Sequence, residues 1–217
     1  MLKTRDPGDI RRRRPFYFRQ MFSIFYPHPR SRSVSGWMFG DFLNWFLEAK
    51  QPRKVFEMEE GTLDTVNLSY TANLDNIRVS TTKTTIIDLS KRIETIRYDK
   101  LANVRPREGC LYIPLSRDGQ MLDLFAICTF DQTRKPVIWL FHGTVVATHD
   151  IKVEPFSTLA SWQYPIHYVA VVPGDFHRGR RTFAVALPRQ LHDTVKGMWI
   201  LPIDPSDLTD HYYDIRK

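Results

Sequence analysis

The sequence predicts a mainly β protein: an antiparallel β-sandwich preceded by a basic N-terminal arm and one amphipathic helix. Three observations carry that expectation. From Lys54 onward the chain is a series of short apolar runs rich in Val, Ile, Phe and Trp, densest between Met121 and Leu187, each ended by Pro, Gly or Asp clusters. Runs of that length, composition and punctuation read as strands. In NIRVSTTKTTI, Arg78, Ser80, Thr82 and Thr84 alternate with Ile77, Val79 and Thr81, the period of a half-buried antiparallel strand. At 217 residues, 42% of them hydrophobic, the chain is long enough for one well-cored domain, or a domain and an arm.

Residues 1–35 form the arm. They hold Lys3, Arg5, Arg11, Arg12, Arg13, Arg14, Arg19, Arg30 and Arg32 against Asp6 and Asp9, nine cations against two anions. That is the whole net charge of +7, so the remainder sums to zero. Such an arm meets phosphate, as nucleic acid or as an anionic membrane surface, or else serves as an import signal or a solvated tail. Pro15, Pro27 and Pro29 argue against a continuous helix there. The run FYFRQMFSIFY, Phe16 to Tyr26, interleaves aromatics with Arg19. This suits base stacking with phosphate contact, and equally an arm docked on its own domain or on a neighbouring copy.

Residues 36–203 are expected to hold the helix and the sandwich. SGWMFGDFLNWFLEA is the helix candidate, capped by Ser33 or Ser35. Trp37, Met38, Phe42, Trp45, Phe46 and Ala49 follow helical spacing, with Asp41, Asn44 and Glu48 on the other side. Trp37, Phe42, Trp45 and Phe46 then face either the sheet or a membrane interface. The strand candidates are KVFEME, LDTVNLSY, NIRVSTTKTTIIDL, RIETIRY, CLYIPL, the runs between Met121 and Leu187, and KGMWILPI, about eight to ten strands in all. Arg117-Asp118-Gly119 reads as a tight hairpin turn. Residues 204–217, with Asp204, Asp207, Asp210 and Asp214, are an acidic C-terminal tail.

Few residues carry recognisable chemistry. None of the seven histidines sits at metal-ligand spacing with a cysteine, so no metal and no cofactor is expected. Cys110 and Cys128 exclude a disulfide scaffold, and free thiols are expected. His142 and His149 fall on one strand or hairpin and combine with Asp131 on paper, but no serine or cysteine stands in a nucleophile context. PGDFHRGR lacks the spacing of a phosphate loop. A second basic-aromatic patch is present instead: His177, Arg178, Arg180 and Arg181 between Phe176 and Phe183. Guanidinium groups bind phosphate bidentately and stack on bases. No apolar run approaches the ~20 residues of a membrane-spanning helix, and no secretory signal follows Arg11–Arg14, so an intracellular protein is expected.

An Arg-rich arm ahead of a β-sandwich resembles viral coat proteins with jelly-roll domains. A strand ending in aspartate, AICTFDQTR around Asp131, followed by strands leading to a Gly-containing loop, resembles the thirty-kilodalton superfamily of plant-virus movement proteins over roughly residues 109–187. That resemblance implies a jelly-roll-like core, a functional carboxylate at Asp131 and a glycine at Gly174 or Gly179. The basic arm and aromatic helix are not typical of that superfamily and keep a coat or matrix protein in play. The expectation is therefore a non-enzymatic viral protein of movement type. It would bind single-stranded nucleic acid, RNA first, through Arg11, Arg12, Arg13, Arg14, Arg19, Arg30, Arg32, Arg178, Arg180 and Arg181, with self-association and peripheral membrane contact as further partners. Its place would be the host cytoplasm or cell periphery.

Overall fold

A computed structural model describes residues 32–63, 66–74, 83–115, 124–130, 133–146, 148–174 and 182–203. Helix α1 spans Arg32–Glu48 and α2 spans Glu154–Ser161. The first strands are β1 (Pro52–Glu57), β2 (Glu59–Leu63), β3 (Asn67–Asn73), β4 (Thr84–Asp88), β5 (Glu94–Tyr98) and β6 (Cys110–Pro114). They are followed by β7 (Leu124–Phe130), β8 (Lys135–Gly143), β9 (Thr148–Asp150), β10 (Ile166–Pro173), β11 (Thr182–Pro188) and β12 (Val195–Ile203). The protein is mainly β, as its apolar runs predict. One sheet has eight strands in the order β4-β1-β12-β10-β8-β7-β6-β5, and the other has four in the order β2-β3-β11-β9.

The large sheet is buried on both faces, which explains why its central strands read as nearly unbroken apolar runs. All eight residues of β10, IHYVAVVP, are buried. Alternate residues serve two cores. Ile138, Leu140, Tyr168, Ala170, Met198 and Ile200 face the small sheet, where Leu68, Ala72, Phe183, Val185 and Leu187 meet them, joined by Phe156 and Leu159 of α2. Val137, Trp139, Phe141, Val169, Val171, Trp199 and Leu201 face the other way, under α1.

Helix α1 buries Phe39, Phe42, Leu43, Phe46 and Leu47 on that second face, an i, i+3, i+4, i+7, i+8 stripe. The stripe is centred differently from the expected one, with Leu43 and Leu47 inside and Trp45 partly exposed at its edge. The helix also starts at Arg32, inside the span assigned to the arm. Ser33 and Ser35 therefore lie within it instead of capping it.

The expectation of a purely antiparallel arrangement is corrected. β8 pairs with β10, β10 with β12, β5 with β6, and β9 with β11 in parallel, while β1–β4, β1–β12, β6–β7, β7–β8, β2–β3 and β3–β11 are antiparallel. The cause lies in the connections. Between β8 and β10 the chain leaves for β9 in the small sheet and then for α2. Between β10 and β12 it leaves for β11. Each excursion returns the chain in its original direction, which a hairpin cannot do. Between β5 and β6 the crossover is short and is pinned by the Tyr112 hydroxyl. That hydroxyl accepts from the Arg107 backbone N–H at 2.8 Å and donates to the Arg105 carbonyl at 3.2 Å. Tyr112 also stacks on Phe125 at 4.6 Å, and burial pushes its phenol up to about 12.

Two further expectations change. Twelve strands are present among the described residues, against the about eight to ten that the apolar runs predict; part of the difference is that the stretch from Pro52 to Leu63 divides into β1 and β2. The strand-rich stretch also contains a helix, α2. It is two turns long, with Pro155 in its first turn and only Phe156 and Leu159 buried, too few apolar positions to set a period.

Candidate functional site

The seam between the two sheets brings together titratable groups that are far apart in local structure. His142 sits near the end of β8 in the large sheet, and His149 is the middle residue of β9 in the small one. They do not share a strand or a hairpin, contrary to the expectation from sequence. Their rings stack with centroids 4.0 Å apart and planes 25° apart, and Tyr168 of β10 lies parallel to His142 at 6.3 Å. β9 reaches this position because it runs parallel to β11, His149 opposite Val185.

Leu140, Phe141, His142, His149, Ile151, Lys152, Pro155, Phe156 and Tyr168 line a small pocket here. It has room for about one water molecule. No carboxylate lines it. Burial, and then the neighbouring His142, push the His149 pKa down to about 4, so His149 is neutral at physiological pH. Among the described residues no group of three or more metal-ligating side chains forms.

A third histidine lies on the opposite face of the large sheet. His167 of β10 is buried among Phe130, Trp139 and Trp199, with ring centroids 4.9, 4.8 and 6.2 Å away. The Trp199 indole N–H donates to His167 Nδ1 at 3.0 Å, which fixes the tautomer carrying its proton on Nε2. A bulge makes the bond possible: Ile166 pairs with Val195 but His167 pairs with Gly197, so β12 has one extra residue. A side chain at Gly197 has no room, because its Cβ would lie 2.5 Å from His167 Nδ1 and 2.6 Å from Trp199 Nε1. Burial, and then Lys83, push the His167 pKa down to about 4. His167 thus serves the packing of this core, held through Nδ1 by Trp199.

Of the residues singled out in the sequence, Arg11, Arg12, Arg13, Arg14, Arg19, Arg30, Asp131, Arg178, Arg180 and Arg181 lie outside the described residues, as does most of the arm and all of the acidic tail. Arg32 begins α1, which also contains Trp37. Phe42 and Phe46 are buried under the large sheet and Trp45 packs at the edge of the same core. Cys110 and Cys128 are free thiols on opposite faces of the sheet, one in each core. No described helix is long and apolar enough to cross a membrane.

Sequence reasoning misses the arginines that hold α1. Arg53 donates to the Phe46 carbonyl, and Arg92 donates to the carbonyls of Leu47 at 3.1 Å and Glu48 at 2.7 Å. Arg97 pairs with the Glu48 carboxylate. These cations occupy the carbonyl end of a helix that has no basic residue in its own last turn, where positive charge is favoured. A signal for Arg53 is present in the chain: strand alternation puts it on the face of Val55.

No family model matches this chain, and no curated protein or solved structure matches it significantly.

Proposed function

We propose that this chain is a viral binding protein, not a catalyst, and that it takes single-stranded nucleic acid through its basic segments in the manner of a movement-type protein. The observation that carries the reading is the separation of charge, with the whole net charge of +7 inside residues 1–35. The arrangement of the body supports it. Both faces of the large sheet are consumed by packing, and the seam pocket holds about one water, which leaves contact to the segments around the core. The finer fold reading, a jelly-roll-like sandwich, draws on the two sheets sharing one core, and the parallel pairs are its departure from that pattern. The site of action on this reading is the host cytoplasm or cell periphery.

A coat or matrix protein is the second reading, favoured by one observation. The edge strand β4 leaves Ile86 49% exposed, and an exposed apolar edge is a template for pairing between copies. The test is a salt titration of single-stranded RNA binding by the full chain and by a chain lacking residues 1–31. Each phosphate contact contributes about −0.7 to the log–log salt slope on single strands, so the truncated chain should show a shallower slope and weaker binding. An unchanged slope overturns the arm reading. Closed shells in the presence of RNA would move the protein to the coat class. Loss of cell-to-cell spread in a folded Asp131→Asn variant would favour the movement class.

A further inference from the structure

We propose that the seam between the sheets is a phosphate-binding site formed by His142, His149 and Lys152, with Tyr168 beside them. The four residues come from β8, β9, the segment after β9, and β10, and they line one pocket. Each carries a hydrogen-bond donor, and the pocket has no acidic residue in its lining. Asp150 and Glu154 are close in sequence, but both are exposed and neither lines the pocket. Val185, opposite His149 on β11, is apolar. The lining of the pocket is therefore neutral or positive.

Burial, and then the His142 ring 4.0 Å away, disfavour a positive charge on His149. An anion at the pocket mouth reverses that balance. It accepts from both rings and from the lysine, so binding and proton uptake favour one another. A phosphate group suits the arrangement, since its oxygens are strong acceptors for the N–H donors of two imidazoles and a lysine. The water-sized space admits one oxygen, and the rest of the group stays at the surface. Such a site takes a phosphate presented from outside, either free or as part of a phosphodiester backbone. The inference is independent of the basic arm.

The experiment tracks the histidine Cε1 proton resonances of the full chain across a pH titration. It compares inorganic phosphate with chloride at matched ionic strength. Phosphate should raise the His149 midpoint by at least about half a unit, perturb the His142 resonance beside it, and leave His167 unmoved. Lys152→Gln removes an exposed side chain, so folding is not at risk. It should weaken phosphate binding about threefold, while Lys196→Gln, at an exposed lysine near the start of β12 that does not line the pocket, should not. A single-stranded oligonucleotide forms the second arm: if it moves the same resonances, the natural source is a phosphodiester, and if only inorganic phosphate does, the source is a free anion. Midpoints unmoved by either ligand, or equal losses in the Lys152 and Lys196 variants, overturn the proposal.

Discussion

The Arg53 guanidinium lies 3.6 Å from the ring centroid of Phe46, and its Nη2 donates to the carbonyl oxygen of the same residue at 2.5 Å. One cation thus caps the C-terminal end of α1 and packs against its apolar stripe. Arg53 is only 7% exposed, so the bond forms away from water, where a charge-assisted contact keeps its strength. A hydrogen bond to a charged group contributes about 1.5–3 kcal/mol, and a cation over a desolvated ring adds up to about 2 kcal/mol. Arg53→Ala should cost about 3 kcal/mol of stability in urea unfolding, and Arg53→Lys less, since lysine keeps the charge but not the planar fork. A loss no larger than that of the exposed Arg105→Ala would show that the contact contributes nothing.

The burial of α1 gives the second prediction. Phe42 and Phe46 are 5% and 3% exposed, whereas Trp45 is only partly buried. Phe42→Ala should therefore destabilise by about 3–5 kcal/mol, and Trp45→Ala by clearly less, although tryptophan is the larger residue. Both variants should bind anionic liposomes as the parent does. If Phe42→Ala keeps the parent melting temperature but loses liposome binding, the helix faces lipid and not the sheet.

Legibility in the sequence depends on which interactions are local. The strand composition of β6 to β8, β10 and β12 is written in their Val, Ile, Phe and Trp content, and α1 in its spacing. Strand direction is not legible, because β8 and β10 become parallel only through where β9 and α2 dock. Nor is the phase of α1, since Leu43 and Leu47 displace Trp45 from the interior through contacts with the large sheet. His142 and His149 are visible as candidates, but their stacking spans two sheets and no local pattern encodes it. Arg53 is the reverse case: its alternation with Val55 places it inside, and only the carbonyls of α1 explain why a cation belongs there.

Gly197 supplies the third prediction. Its Cα hydrogen occupies the space that lets the Trp199 indole reach His167. Gly197→Ala places a methyl group against two fixed rings, and overpacking of this kind costs about 1–3 kcal/mol. The tryptophan fluorescence should shift as the indole loses its acceptor. His167→Asn should be milder, because the asparagine carbonyl lies close to the position of Nδ1 and can take the same proton. Unaltered fluorescence and stability in Gly197→Ala would mean that the bulge in β12 relaxes and the bond is not fixed.

Two histidines, His167 buried and His149 half-buried, make the fold sensitive to acid. His149 and His167 both titrate near 4 in the folded chain, against 6.5 for a free imidazole, and in each case burial is the first cause. On acidification the unfolded chain takes up these protons first. The contribution of the neutral rings is thus fully present above about pH 6.5 and is lost as pH falls toward about 4, at up to about 1.4 kcal/mol per pH unit for each histidine. His149 is partly exposed and should contribute the smaller part. Urea midpoints measured across this window, in chloride with zwitterionic buffers so that no phosphate occupies the seam, should fall steadily with pH. The His167→Asn variant should fall less steeply, since its side chain has no proton to gain. An equally steep fall in parent and variant would place the acid sensitivity elsewhere, in carboxylates such as Asp88, whose pKa is held down by the Ser90 hydroxyl and then Lys91.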